Sequence, residues 1–336
     1  MQGRIENKIK IEEQIKNKIA TMPEYVKRYY FYLNQKSHTT KLNYMNKLLR
    51  FLDYLEIEGI SIELNDLDKI DAYIIEQYIA SISYYESNNK TKELSNTSKA
   101  NIYSALNSFF TFLCANDYIR NNPFDNKKIT RPKADQTSIT FLTPEEVKEV
   151  QNRILHGWGS SEARAKQCEW KYRDFLLFRI PVVTGLRVEA LSEINVSDVD
   201  LVRKTIRVTE KGNITKDIYI DELTRDYLLK WIMQRADFIG NGNYDCQALF
   251  ISNRLQRMTV GTIEKNIKKY ADGINGKHIT PHKLRSTCGT NLYQAKKDIY
   301  LVASVLGHSS TEPTRRYTKV FDTDKRDAIN TIANMY

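Results

Sequence analysis

In three stretches between Thr39 and Asn116 the apolar residues return every three or four positions, and that period constrains the fold more than any other feature. Leu42, Met45, Leu48, Leu49, Leu52 and Leu55 form one stripe, with Thr39 and Thr40 placed to cap its helix. A second stripe runs from Ile70 to Ile82. A third, Leu106, Phe109, Phe110 and Leu113, lies in a helix expected from Ser98 to Asn116. Upstream, Ile5, Ile9, Ile15 and Ile19 give a charged leader the spacing of an amphipathic helix, and Tyr25 to Leu33 reads as a short helix after Met22-Pro23. Helices with one apolar face bury it against each other, so the expectation is a compact helical domain with little strand.

The period breaks twice. Asn121-Asn122-Pro123 stops the helical run, and the polar, basic, proline-containing KKITRPKADQTS reads as a linker. It fits a solvated connector and a segment lying along a DNA backbone equally well. Helical pattern resumes at Thr143-Pro144-Glu145-Glu146, a Thr-x-x-Glu capping box with proline in the first turn, and continues through Phe175–Val183 and Val188–Ile194. At Thr205–Thr209 and Asp217–Ile220 the period falls to two around Lys211-Gly212-Asn213, a hairpin signal. Helices are expected again at Leu223–Arg235, Thr259–Tyr270, Leu284–Tyr293, Ile299–Leu306 and Asp324–Asn334. The fold class expected is therefore mainly α. It comprises a leader helix (1–22), a helical domain (23–126), a linker (127–141), a mostly α domain with a small antiparallel β-sheet (142–320) and a terminal helix (321–336).

Composition narrows the function classes. A formal net charge of +10 permits a polyanionic partner. No apolar run approaches the roughly 18 residues of a membrane span, and the opening MQGRIENKIKIEEQIKNKI has no apolar core of a secretory signal. A cytoplasmic protein is expected. Cys114, Cys168, Cys246 and Cys288 are too scattered for a disulfide framework or a zinc site and are expected to be buried free thiols.

Five short segments carry the chemistry: Thr184-Gly185-Leu186-Arg187, Glu210-Lys211-Gly212-Asn213, His282-Lys283-Leu284-Arg285, Leu306-Gly307-His308-Ser309 and Arg316-Tyr317-Thr318. Each is weak alone. In this order, with Arg285 three residues after His282 and Tyr317 nine after His308, the set resembles the catalytic signature of the tyrosine recombinase (lambda-integrase-like) family, which includes the Xer-type recombinases. The helical first half looks like that family's SAM-like core-binding domain. One position departs from the pattern. The family has an acidic residue three positions after the first Arg, where this chain has Ala190. Glu189 lies on a different helix face, and Glu189, Glu193 or no residue at all takes over the role.

The residue types suit phosphoryl chemistry. Two guanidiniums neutralise charge developing on a phosphodiester, so Arg187 and Arg285 are assigned to its non-bridging oxygens. A phenol is a weak nucleophile near neutral pH and needs a proton acceptor or cationic neighbours. By resemblance, Tyr317 is the nucleophile and forms a 3′-phosphotyrosine. His282 acts as base and His308 bonds the phosphate, or the two share the work. Lys211 protonates the leaving 5′-oxygen, with Lys216 a less favoured substitute.

The resemblance implies no metal, no cofactor and no ATP. It implies double-stranded DNA with inverted-repeat core sites as partner, a homo-tetramer on two such sites with the terminal helix docked on a neighbour, and room for accessory DNA-bending or directionality proteins. Lys36, Lys41, Lys47, Arg50 and Lys99 in the helical domain, with Arg131 and Lys133 in the linker, are the expected DNA contacts. The alternatives are a type IB topoisomerase-like enzyme, a DNA-binding regulator on the same fold and, more distantly, a metal-dependent nuclease.

Overall fold

A computed structural model describes residues 2–87, 90–125, 129–133, 139–210, 214–240, 246–308, 310–320, 329–330 and 332–333. The chain divides into two compact units, Met1–Thr137 and Ser138–Tyr336.

The first unit is helical: α1 (Gln2–Ile19), α2 (Glu24–Tyr32), α3 (His38–Ile57), α4 (Ala72–Ser81) and α5 (Asn96–Ala115). The apolar stripes face one another as their spacing requires. Met45, Leu48, Leu49, Leu52 and Leu55 of α3 share a core with Leu106, Phe109, Phe110 and Leu113 of α5, and Tyr29 of α2 meets Phe109 edge-on at 5.1 Å. The leader helix joins this core through Ile15 and Ile19. Two local expectations change. The cap of α3 is Ser37, whose hydroxyl accepts from the Thr40 amide, rather than Thr39 or Thr40. The polar stretch before α5 forms an antiparallel hairpin, β1 (Tyr84–Ser87) and β2 (Lys90–Glu93), which no apolar alternation announces.

In the second unit α6 (Pro144–His156) starts on the capping box. Thr143 Oγ1 accepts from the Glu146 amide and Glu146 Oε2 accepts from the Thr143 amide at 2.8 Å. The chain continues through α7 (Ser161–Thr184), α8 (Val188–Glu193), a three-stranded sheet, α9 (Glu222–Ile239), α10 (Val260–Ala271), α11 (Pro281–Lys296) and α12 (Ile299–Leu306), then a 3₁₀ segment, Glu312–Val320. The sheet is antiparallel in the order β3 (Val199–Asp200), β4 (Thr205–Glu210), β5 (Ile214–Tyr219), with Ile206 opposite Ile218 and Val208 opposite Lys216. Ile206 and Val208 are buried while Arg207 and Thr209 face solvent, the alternation of a one-sided sheet.

The long α7 supplies the centre of the core through Phe175, Leu176, Leu177, Phe178 and Ile180. A buried polar knot ties it to α10. Asp174 accepts from Arg173 Nε at 2.9 Å and from the Tyr270 hydroxyl at 2.8 Å. The cysteines are free, but only Cys288 is buried and Cys168 is exposed, since its position on α7 lies outside the apolar face. Among the described residues no helix is long and apolar enough to cross a membrane. The hairpin tip with Lys211 and most of the expected terminal helix lie outside the described residues.

Candidate active site

Arg285 anchors the site. It sits one turn after His282 at the start of α11, where Pro281 supplies the first helical residue and Leu284 points into the core. The residue is 4% exposed, and its guanidinium spans two helix ends. Nη1 donates to the Gly185 carbonyl at 2.6 Å, just past α7, and Nη2 donates to the carbonyl of Leu306, the last residue of α12. Helix C-termini carry unpaired carbonyls and partial negative charge, so a buried cation is at home between them. The turn that delivers Gly185 needs glycine twice over. Its φ is +68°, and a Cβ there would stand 2.3 Å from Leu306 Cδ2.

Arg187 follows two residues later as the residue preceding α8. Its Nη1 donates to Glu210 Oε2 at 2.8 Å, and Lys216 Nζ lies 3.4 Å from the other oxygen of the same carboxylate. Glu210 ends β4, on the same face as Ile206 and Val208. It also borders Gly307, where a Cβ would meet Lys216 Nζ at 2.8 Å and Glu210 Oε2 at 3.2 Å. Ala190 is buried in the apolar core and Glu189 faces solvent, and the carboxylate bonded to Arg187 is Glu210 of the sheet.

The histidines lie within the field of these cations. Burial, together with Arg285, Arg187 and Arg316, pushes His308 down to about 4. Partial desolvation, Arg316, Arg285, Lys283 and Arg187 hold His282 below its usual range. Both rings are therefore neutral at pH 7, able to accept a proton or a hydrogen bond. His308 Nδ1 is 2.8 Å from Thr314 Oγ1, which ties the Leu-Gly-His turn to the tyrosine-bearing segment.

Tyr317 closes the cluster. Its ring is 0% exposed and packs with Cys288, Val302 and Leu306, while its hydroxyl accepts from Arg316 Nη2 at 2.9 Å. Gly289 makes room for it, since a Cβ there would stand 2.9 Å from Tyr317 Cζ.

The structure thus brings together Arg187, His282, Arg285, His308 and Tyr317, and Lys211 falls outside the described residues. It adds Glu210 and Arg316, and it sets Lys216, the less favoured substitute for Lys211, against Glu210. Arg316 and Glu210 stand next to motif residues in the sequence, and that adjacency was their only signal there. Among the described residues no group of three or more His, Cys, Asp or Glu is arranged to hold a metal ion.

In the first unit the expected DNA contacts divide. Lys36, Arg50, Arg131 and Lys133 are exposed, Lys47 is half-buried, and Lys99 is half-buried beside Glu93 at 3.5 Å. Lys41 requires a correction. It is 6% exposed, donates to Asn34 Oδ1 at 2.6 Å, and lies 3.4 Å from the centroid of the Tyr30 ring and 4.0 Å from Glu12. Its ammonium is spent inside the unit, on the contact between α1 and α3, and is not presented to a phosphate.

Comparison with known proteins places the chain in a family. Residues 142–324 match the phage integrase family, and residues 26–117 match the phage integrase N-terminal SAM-like domain. The chain is 30% identical to tyrosine recombinase XerC of Caldanaerobacter subterraneus, over 83% of this chain and 74% of that protein. It is 27% identical to tyrosine recombinase XerS of Streptococcus agalactiae, over 95% of this chain and 98% of that protein. The crystal structure of the XerH site-specific recombinase bound to its difH substrate shares the fold. Its TM-score is 0.67 at 20% identity, covering 97% of this chain and 89% of that one. Site, fold and sequence converge: the chain is a tyrosine recombinase and belongs to the phage integrase family.

Proposed function

We propose that the chain cuts and rejoins duplex DNA at a specific site through a 3′-phosphotyrosine at Tyr317. One observation carries the reading most: two arginines, two neutral histidines and a tyrosine, from segments separated by up to 130 residues (187 to 317), meet in one cluster. Arg187 and Arg285 bind the non-bridging oxygens, where preorganised cations oppose the charge of the transition state. His282 accepts the phenolic proton as the Tyr317 oxygen attacks phosphorus, and His308 bonds the phosphate. The 5′-oxygen departs with a proton from Lys211, the Tyr317–phosphorus bond replacing the phosphorus–oxygen bond that breaks. Reversal by a 5′-hydroxyl of another strand completes exchange with no ATP, metal or cofactor, because the phosphotyrosine keeps the ester's energy.

The active assembly is a homo-tetramer on two inverted-repeat sites in cytoplasmic, nucleoid DNA. Ile329 and Ile332, exposed and three residues apart on the terminal helical turn, suit docking on a neighbouring protomer. Lys36, Lys47, Arg50, Lys99, Arg131 and Lys133 hold the DNA backbone.

The test is covalent capture. The protein is mixed, in EDTA, with a nicked suicide-duplex library that includes DNA flanking its own gene, and adducts surviving denaturation are sequenced. Wild type yields a defined site, and Tyr317→Phe binds the same DNA without any adduct. Adducts formed by Tyr317→Phe would remove the nucleophile assignment.

A further inference from the structure

A carboxylate at the end of β4 makes little sense as part of the sheet alone. Ile206, Val208 and Glu210 point to the same face, and the first two are buried in the core. The third continues that row with a side chain only 10% exposed, where an ionised acid is costly without a partner. Its partners are two cations. Arg187 Nη1 lies at 2.8 Å from one oxygen and Lys216 Nζ at 3.4 Å from the other, while Arg187 itself is 35% exposed. The exposed guanidinium is thus tied at one corner to a buried, fixed oxygen. A bond through Nη1 sets the plane of the group without occupying all five of its donors. Ala190, one turn into α8, is closed into the apolar core and offers Arg187 nothing.

We propose that Glu210 is the positioning residue that aims Arg187 at the reacting phosphate, supplying from the sheet the carboxylate that α8 lacks at Ala190. Lys216 is the second arm of the same device. Its ammonium balances the carboxylate's other oxygen and fixes it against Gly307, beside His308. This inference rests on the assignment of Arg187 to the phosphate.

The experiment measures single-turnover cleavage at saturating DNA, on the duplex recovered by covalent capture, for wild type, Glu210→Gln, Arg187→Lys and the double variant. Glu210→Gln keeps the size of the side chain and removes its charge. It is expected to slow cleavage roughly 10- to 100-fold, as loss of an orienting partner does at other preorganised sites, with DNA affinity unchanged within about twofold. In the Arg187→Lys background the same substitution is expected to cost little, because the group it orients is gone. A merely structural Glu210 would cost the same in both backgrounds. Equal losses in the two backgrounds, or Glu210→Gln cleaving as fast as wild type or faster, would overturn the proposal while leaving the recombinase reading intact. A wild type that forms no covalent adduct would sink that reading and this inference with it.

Discussion

Arg285 and Arg187 belong to the same site but are held by different kinds of partner. Arg285 is buried and bonded to two backbone carbonyls at helix ends. Arg187 is about one-third exposed and bonded to one carboxylate on a strand. A backbone carbonyl moves only if its helix moves, so Arg285 is as fixed as the packing of α11 against α7 and α12. The carboxylate of Glu210 sits on a side chain, so the aim of Arg187 depends on a single rotamer and on what that rotamer touches. The comparison separates a cation that is part of the protein's framework from one that is set against it.

The largest effect should come from removing each. Arg285→Ala leaves two carbonyls unpaired in a buried place, costing roughly 2–4 kcal/mol of stability, and abolishes detectable cleavage. Arg187→Ala lowers cleavage by about 10²- to 10³-fold and costs less stability than Arg285→Ala, because Lys216 still pairs with the Glu210 carboxylate. Denaturant unfolding and single-turnover cleavage on both variants check this. Equal stability losses would erase the distinction between the two arginines.

Much of the chemistry was legible in the sequence because motif spacing survives folding. Arg285 three residues after His282 must share its helix face, and a glycine before Leu186-Arg187 must turn the chain. What the sequence hid were contacts made across elements. Arg187 and Glu210 are 23 residues apart, and their meeting depends on how the sheet docks on α8, which no local period encodes. Reading for a carboxylate on α8 searched the wrong element. The β1–β2 hairpin was hidden for another reason, since its residues are polar and show no alternation of apolar side chains.

Lys41 is different, because its signal was present. Lys41, Met45, Leu48, Leu52 and Leu55 follow one another at steps of four, three, four and three, which puts Lys41 on the buried stripe of α3. The same distinction between framework and presented cations therefore recurs in the first unit, with Lys41 inside and Arg50 outside. Lys41→Ala should lower stability by roughly 1 kcal/mol, through the lost hydrogen bond to Asn34 and the lost contact with the Tyr30 ring, and leave the salt dependence of DNA binding unchanged. Arg50→Ala should do the reverse, reducing the slope of log K against log salt by about one contact. A changed slope for Lys41→Ala would return that residue to the DNA contacts.

The smallest effect tests whether a solvent-facing cation tunes the site at all. Arg316 is exposed, but its charge lowers both histidines and its Nη2 bonds the Tyr317 hydroxyl. His308 at about 4 stays neutral in the native protein, while in the unfolded chain an imidazole takes its proton near 6.5. Across that window the unfolded state binds more protons, so stability falls as pH falls from about 6.5 and the loss is complete near 4. Arg316→Ala removes one repelling charge, so both histidines should rise toward the ordinary range and the window should narrow from its acid end. NMR titration of the imidazole resonances reads the shift directly. The acid limb of cleavage at subsaturating DNA, which reports the free enzyme, should move to higher pH with it. Unmoved histidines would mean that Arg316 serves the Tyr317 oxygen alone, and that the field at the site is set by Arg187 and Arg285.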